Sequence, residues 1–175
     1  LRAWRNAGVP VVAVCDIDRS RAAARAAEFG IERVYDDPAA LFADGGFDAV
    51  DIAASVGAHA PVTRLAADHG VHVMLQKPMT ETVAEAEALV AYVGDRVRFM
   101  VHENYRFRPH YLTVRRWIAE GRIGTPRHAA ISCCGSGLTP REGTVPFLVE
   151  RQPYLTGFRR NLVFETMIHH LDVLR

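Results

Sequence analysis

Lys77 stands where an apolar run, "VHVMLQ", meets "KP". Lysine is rarely fully buried unless it is paired. The tip of a parallel strand, however, is where an open α/β sheet holds its ligand. There an ammonium can bind a hydroxyl or carbonyl oxygen; the plainer alternative is a surface lysine after a strand. Pro78 ends the ladder, because it has no N–H to give. Near the other end, "FETMIHHLDVLR" spaces Glu165, His169 and Asp172 at i, i+4 and i+7, one face of an α-helix. A carboxylate beside a histidine suits it to proton transfer near neutral pH. The same residue types can ligate a metal, or form a solvated, salt-bridged face. His170 is turned by about 100° and need not join them.

Other strand ends carry further candidates. Asp16, followed by Ile17, closes "VVAVCD". An acid at the end of the second strand of a dinucleotide fold accepts hydrogen bonds from the ribose hydroxyls; "DIDRS" is equally a good helix entry, with Asp16 as turn former. Ala53, Ala54 and Ser55 follow "FDAVDI", and their small side chains would let a flat cofactor approach the backbone. His59 comes next, as a cofactor contact or as a loop histidine. Gln76 precedes Lys77. "HENYRFRP" closes another apolar run, with Asn104, Tyr105 and Arg106 in reach of the same edge, or serving as ordinary turn residues.

The elements that must hold these residues alternate. "LRAWRNAG" reads as the end of a helix. "VPVVAVCD", "FDAVDIAAS", "VHVMLQ" and "VRFMVHEN" read as buried strands. "RSRAAARAAEFG", "DDPAALFAD", "HAPVTRLAADHG", "TVAEAEALVAYV" and "RPHYLTVRRWIAEG" read as helices, with Asp37, the Thr82–Glu85 capping box, and Gly30, Gly70 and Gly121 as boundary signals. Strand–helix alternation implies a parallel sheet covered by helices. Its strand ends then share one edge, which gathers Asp16, residues 53–59, Gln76 and Lys77. Beyond residue 125 the pattern lapses. "PRHAAISCCGSG" is strand-like, and "LTPREGTVPFLVERQPYLTGFRRN" is irregular. The expected domains are 1–122 and 123–175.

Composition narrows the class. The chain has 175 residues, 49% hydrophobic, with a formal net charge of +1. That is ample for a core and, with no basic run, argues against a nucleic-acid partner. No stretch approaches the ~18 apolar residues of a membrane span, and no secretory signal is visible. Cys15, Cys133 and Cys134 do not form a disulfide framework, so the expected setting is the cytoplasm. Both ends read as cut, "LRAWRNAG" at the tail of one helix and "HHLDVLR" inside another. The expectation is therefore a piece of a longer protein.

At "QKPMT", "HENYRFRP" and "IHHLDVLR" the sequence resembles the glucose-fructose oxidoreductase / inositol dehydrogenase (Gfo/Idh/MocA) family, and so do "VVAVCDID", "FDAVDIA", "GRIGTPRHA" and "RQPYLTGFRR". The resemblance implies an α/β Rossmann-like, doubly wound parallel sheet lacking its first strand and glycine loop. After it would come the start of an α+β domain with an open, mostly antiparallel sheet. It implies an NAD(P)-dependent oxidoreductase moving hydride between nicotinamide and a sugar, cyclitol or related small molecule. NAD is the expected cofactor and NADP the alternative, with no metal, and the parent is expected to be a homo-oligomer. By this likeness Lys77, His169 and Glu165 are catalytic. Asp16, Ile17, Ala53, Ala54, Ser55, His59, Gln76, Lys77, Asn104 and Arg106 bind cofactor, and Lys77, His169 and Asp172 bind substrate. Gln76 departs from the family's glutamate, and Glu165 from its aspartate. Two other classes remain: a non-catalytic sensor or scaffold of the same fold, and a metal-dependent hydrolase using Glu165, His169 and Asp172.

Overall fold

A computed structural model describes residues 1–132, 137, 139–140, 142–151, 153–157 and 162–175. The chain divides into two compact units, Leu1–His102 and Glu103–Arg175. This division falls ahead of the boundary expected after residue 122, because helix α6 (below) packs on the turn that follows residue 103.

The first unit runs α1 (Arg2–Asn6), β1 (Ala13–Cys15), α2 (Arg19–Phe29), β2 (Arg33–Tyr35), α3 (Pro38–Asp44), β3 (Ala49–Ile52), α4 (Val56–Asp68), β4 (His72–Gln76), α5 (Val83–Val93) and β5 (Phe99–His102). The helix starts follow local chemistry. Asp18 accepts the Ser20 N–H, Asp37 accepts the Ala39 N–H ahead of Pro38, and Thr82 and Glu85 form the reciprocal capping box. Gly30 closes α2 at φ 69°, a left-handed conformation open to glycine at little cost.

All strand pairs are parallel. β1 pairs with β2, and β3–β4–β5 form a second sheet, with Ile52 opposite Leu75 and Gln76 opposite His102. β1 and β3 share no ladder. The Trp4 Nε1–H donates to Asp51 Oδ2 at 2.7 Å, tying α1 to β3. β2 escaped the sequence reading, since three residues, "RVY", are too short to show a period. Its Arg33 and Tyr35 bond Asp44 on α3 instead.

The core lies between the three-stranded sheet and helices α4 and α5. It holds Phe42, Ile52, Ala66, Ala67, Val73, Leu75, Leu89 and Val93, with Leu75 and Leu89 fully enclosed. This sheet is the platform that carries the ends of β3, β4 and β5 to one edge.

The second unit holds a 3₁₀ turn (Tyr105–Phe107), α6 (Pro109–Ala119), α7 (Phe147–Arg151), a second 3₁₀ turn (Pro153–Thr156), a π-helical segment (Leu162–Met167) and α8 (Ile168–Leu174). Residues 126–132 form no strand, although "PRHAAISCCGSG" was expected to begin one; 133–136 and 138, with Cys133 and Cys134, lie outside the described residues. Among the described residues of this unit there is no strand, so the expected antiparallel sheet is not seen there. The continuous α-helix expected over "FETMIHHLDVLR" is also corrected. Residues up to Met167 are wound with i→i+5 bonds, and the α-helix begins at Ile168.

Candidate functional site

In the first unit the residues expected after β3 and β4 stand on one edge of the β3–β4–β5 sheet, whereas Asp16, expected with them, follows β1 in the separate two-stranded sheet. β3 ends at Ile52 and passes into Ala53, Ala54 and Ser55, all exposed. β4 ends at Gln76, and Lys77 follows, half-buried, before a cis Lys77–Pro78 peptide. The Lys77 backbone N–H donates to Gln76 Oε1 at 2.9 Å, so Gln76 spends its carbonyl on the turn itself.

His59 was expected at the start of a helix, as a cofactor contact or a loop histidine. α4 begins at Val56, so His59 lies inside the helix and is 1% exposed. Its Nδ1 lies 2.9 Å from Pro78 O and its Nε2 3.1 Å from Ala54 O. The imidazole therefore sits between two neighbouring strand-end turns; a neutral ring has one N–H, so it donates to one of these carbonyls and packs against the other.

At β1, Asp16 Oδ1 accepts the Asp18 N–H at 2.9 Å, which makes Asp16 a turn former as well as an acid at a strand tip. The adjoining Ile17 is 89% exposed. Arg19, the nearby cation, pairs with Asp36 at 3.3 Å. Burial, and after it the charges of Asp37, Asp16 and Asp36, raises the Cys15 thiol above its ordinary value. A carboxylate at a strand tip is the kind of acceptor that ribose hydroxyls require, and a loop of small residues leaves the backbone open to a flat ring. These residues fit a dinucleotide.

In the second unit, His169 Nδ1 lies 2.6 and 2.8 Å from the two oxygens of Glu103. Both side chains are nearly enclosed, 15% and 10% exposed. The sequence reading paired His169 with Glu165 instead. Glu165 falls in the π-helical segment, where the α-helical i, i+4 face does not carry through, and its side chain lies outside the described residues. Glu103 was missed because it is 66 residues away. The available signal was a single acid directly after the apolar strand "FMVH".

The rest of the turn meets the same helix. Tyr105 stacks on His169, with ring centroids 4.1 Å apart and planes within 5°. His170 meets Tyr105 edge-on at 82°. The two histidines thus approach one ring from different directions, as their rotation about the helix demands. His170 Nδ1 is buried and has no hydrogen-bond partner among the described residues. Arg106 Nε donates to Asp172 Oδ2 at 2.6 Å, and Nη2 of the same guanidinium donates to Asp172 Oδ1, which makes the pair bidentate. That hydrogen bond raises the Arg106 guanidinium further above its ordinary value. Arg106 and Asp172, expected at cofactor and substrate, are here joined to each other. Asn104 is exposed. Among the described residues no three His, Cys, Asp or Glu side chains group as metal ligands. No helix of the described residues is long and apolar enough to cross a membrane.

Comparison with known proteins identifies the family. The chain is 37% identical over 177 aligned residues to D-apiose dehydrogenase of Rhizobium rhizogenes, covering 100% of this chain and 49% of that protein. It is 37% identical over 123 residues to inositol 2-dehydrogenase 1 of Saccharopolyspora erythraea, covering 69% of this chain and 36% of that one. The crystal structure of an oxidoreductase from Agrobacterium radiobacter in complex with NAD+, L-tartaric acid and magnesium superposes with a TM-score of 0.85 at 34% identity, covering 99% of this chain and 49% of that one. The chain thus spans about half the length of the D-apiose dehydrogenase it matches. Residues 1–103 match the model described as the oxidoreductase family with an NAD-binding Rossmann fold, GFO_IDH_MocA, and the chain belongs to that family.

Proposed function

We propose that the protein containing this chain is an NAD-dependent dehydrogenase that oxidises a secondary alcohol of a sugar or cyclitol, or reduces the corresponding carbonyl. The observation that carries this reading is the shared edge of the β3–β4–β5 sheet, where residues 53–55 and Lys77 come together in a chain of this family. Likeness to a D-apiose dehydrogenase over the whole chain makes D-apiose the first substrate to try.

Bound nicotinamide supplies the hydride acceptor. The chain's own residues do the rest. Asp16 accepts from the ribose hydroxyls and repels a 2′-phosphate, which favours NAD over NADP. Asp36 holds Arg19, the cation that would otherwise answer a phosphate, and so supports the same preference. Ala53, Ala54 and Ser55 keep the approach to the backbone open. As the substrate C–H leaves with its electron pair, the hydroxyl proton passes to a base. Lys77 and His169 are the two candidates, with the Lys77 ammonium alternatively binding the reacting oxygen electrostatically. Asp172, anchored by Arg106, offers a carboxylate for substrate hydroxyls. Glu165 is a further candidate support for His169.

The test is nicotinamide reduction by the full-length protein with NAD+ and a panel of sugars and cyclitols. Lys77→Ala and His169→Ala should each lower kcat, the base by ~10²–10⁴-fold, while His170→Ala should act mainly on KM. No reduction with any polyol, or full turnover in both of the first two variants, would refute the reading. The sensor or scaffold alternative predicts NAD binding without turnover.

A further inference from the structure

We propose that Glu103 is a positioning residue for His169, fixing the imidazole as the Nδ1–H tautomer and so presenting Nε2 as the nitrogen that takes the substrate proton. This rests on the reading of His169 as the group that exchanges the hydroxyl proton.

The geometry leaves little choice of tautomer. An ionised carboxylate only accepts hydrogen bonds. Both Glu103 oxygens lie within 2.8 Å of His169 Nδ1, so Nδ1 must carry the hydrogen. In a neutral ring the lone pair is then at Nε2. Glu103 is itself held, because Oε1 also accepts the Tyr105 N–H at 3.1 Å. Tyr105 then fixes the plane of the imidazole by stacking on it. The Arg108 guanidinium carbon sits 3.4 Å from the Tyr105 ring centroid. At such separations Arg108 and His169 must occupy opposite faces of Tyr105, so the ring is clamped. Among the described side chains, the charged and titratable groups around His169 are Glu103, Tyr105, Arg108, the adjacent His170, and the Arg106–Asp172 pair one turn along the helix. Among them only Glu103 reaches Nδ1. The arrangement is that of a carboxylate orienting a histidine base, as in a hydrolytic triad, but the acid comes from the end of a strand and not from the helix carrying the histidine.

The decisive measurement is the nitrogen NMR spectrum of ring-labelled histidine in the full-length protein, with His169 assigned by its absence in His169→Ala. The expected result is the Nδ1–H tautomer. An Nε2–H tautomer in the unmodified protein would overturn the proposal, whatever the variants do. Kinetics give the second arm. Glu103→Leu should lower kcat on the order of 10–10³-fold, with KM changed less than about three-fold and the Nδ1–H signature lost. Glu103→Gln keeps an acceptor oxygen and should recover part of the kcat and the signature, whereas a merely structural role would not be rescued in this way. Normal kcat in Glu103→Leu, alongside a disabled His169→Ala, would overturn the proposal alone. Full turnover in His169→Ala would overturn the proton-transfer reading and this proposal with it.

Discussion

Replacing His59 by alanine should be among the most damaging single changes in the first unit, although His59 is itself buried. The side chain is 1% exposed, and its two nitrogens face Pro78 O and Ala54 O at 2.9 and 3.1 Å. A typical intramolecular hydrogen bond contributes about 1 kcal/mol net, but a buried acceptor left unsatisfied costs about 1–3 kcal/mol. Large-to-small core changes add a cavity penalty of similar size. Water entering the vacated space would recover part of the acceptor loss, so the expected destabilisation is about 3–4 kcal/mol. Urea unfolding should show it as a lower midpoint at unchanged slope. The two carbonyls that face the ring, one of them its hydrogen-bond acceptor, belong to the turns after β3 and β4, so NAD affinity should fall as well, measured by titration well below the unfolding midpoint. A loss under about 1 kcal/mol with unchanged NAD affinity would refute this role, and would mean that the two turns hold their shape without the ring.

Two further outcomes follow from the first unit. Asp36→Asn releases Arg19 and should raise the ratio of NADP to NAD kcat/KM by no more than about five-fold, since an exposed ion pair is worth only ~0–1 kcal/mol; an unchanged or lower ratio would count against the role given to Asp36. Cys15, with its thiol raised by burial and then by Asp37, Asp16 and Asp36, should alkylate more slowly than an unstructured cysteine at about pH 8, by peptide mapping. Asp37→Asn, which keeps a capping side chain on α3, should speed the reaction; alkylation at the unstructured rate in the unmodified protein would contradict the stated environment.

The first unit was legible because its signals are local. Asp37 before Pro38, Thr82 with Glu85, and the apolar runs before Ser55, Lys77 and Glu103 each act within a few residues, and each stands where the sequence places it. β2 was not legible, because "RVY" has no period to detect. His59 was misread for another reason. A proline in a first helical turn is the usual pattern, so Pro61 pulled the expected helix start forward to His59; α4 in fact opens at Val56 and carries Pro61 inside. In the second unit the spacing of Glu165, His169 and Asp172 assumed one uniform α-helix, and the π-helical segment breaks that assumption at Met167. The spacing of His169 and Asp172 survives, because both lie in α8.

The partner of His169 could not have been found by helical spacing, and the reason is energetic. α8 has seven residues and buries none of them fully. A helix this short is not stable in water by itself, and it lacks the buried apolar face that usually secures one. Among the described side chains, its contacts with the turn after β5 are those of Glu103 and Tyr105 on His169, Tyr105 on His170, and Arg106 on Asp172. Each uses a polar or aromatic side chain, so each fixes orientation as well as position. The histidine on such a helix takes its geometry from the turn and not from its own neighbours in sequence. Changes in residues 103–108 should therefore disturb His169 more than conservative changes elsewhere on α8.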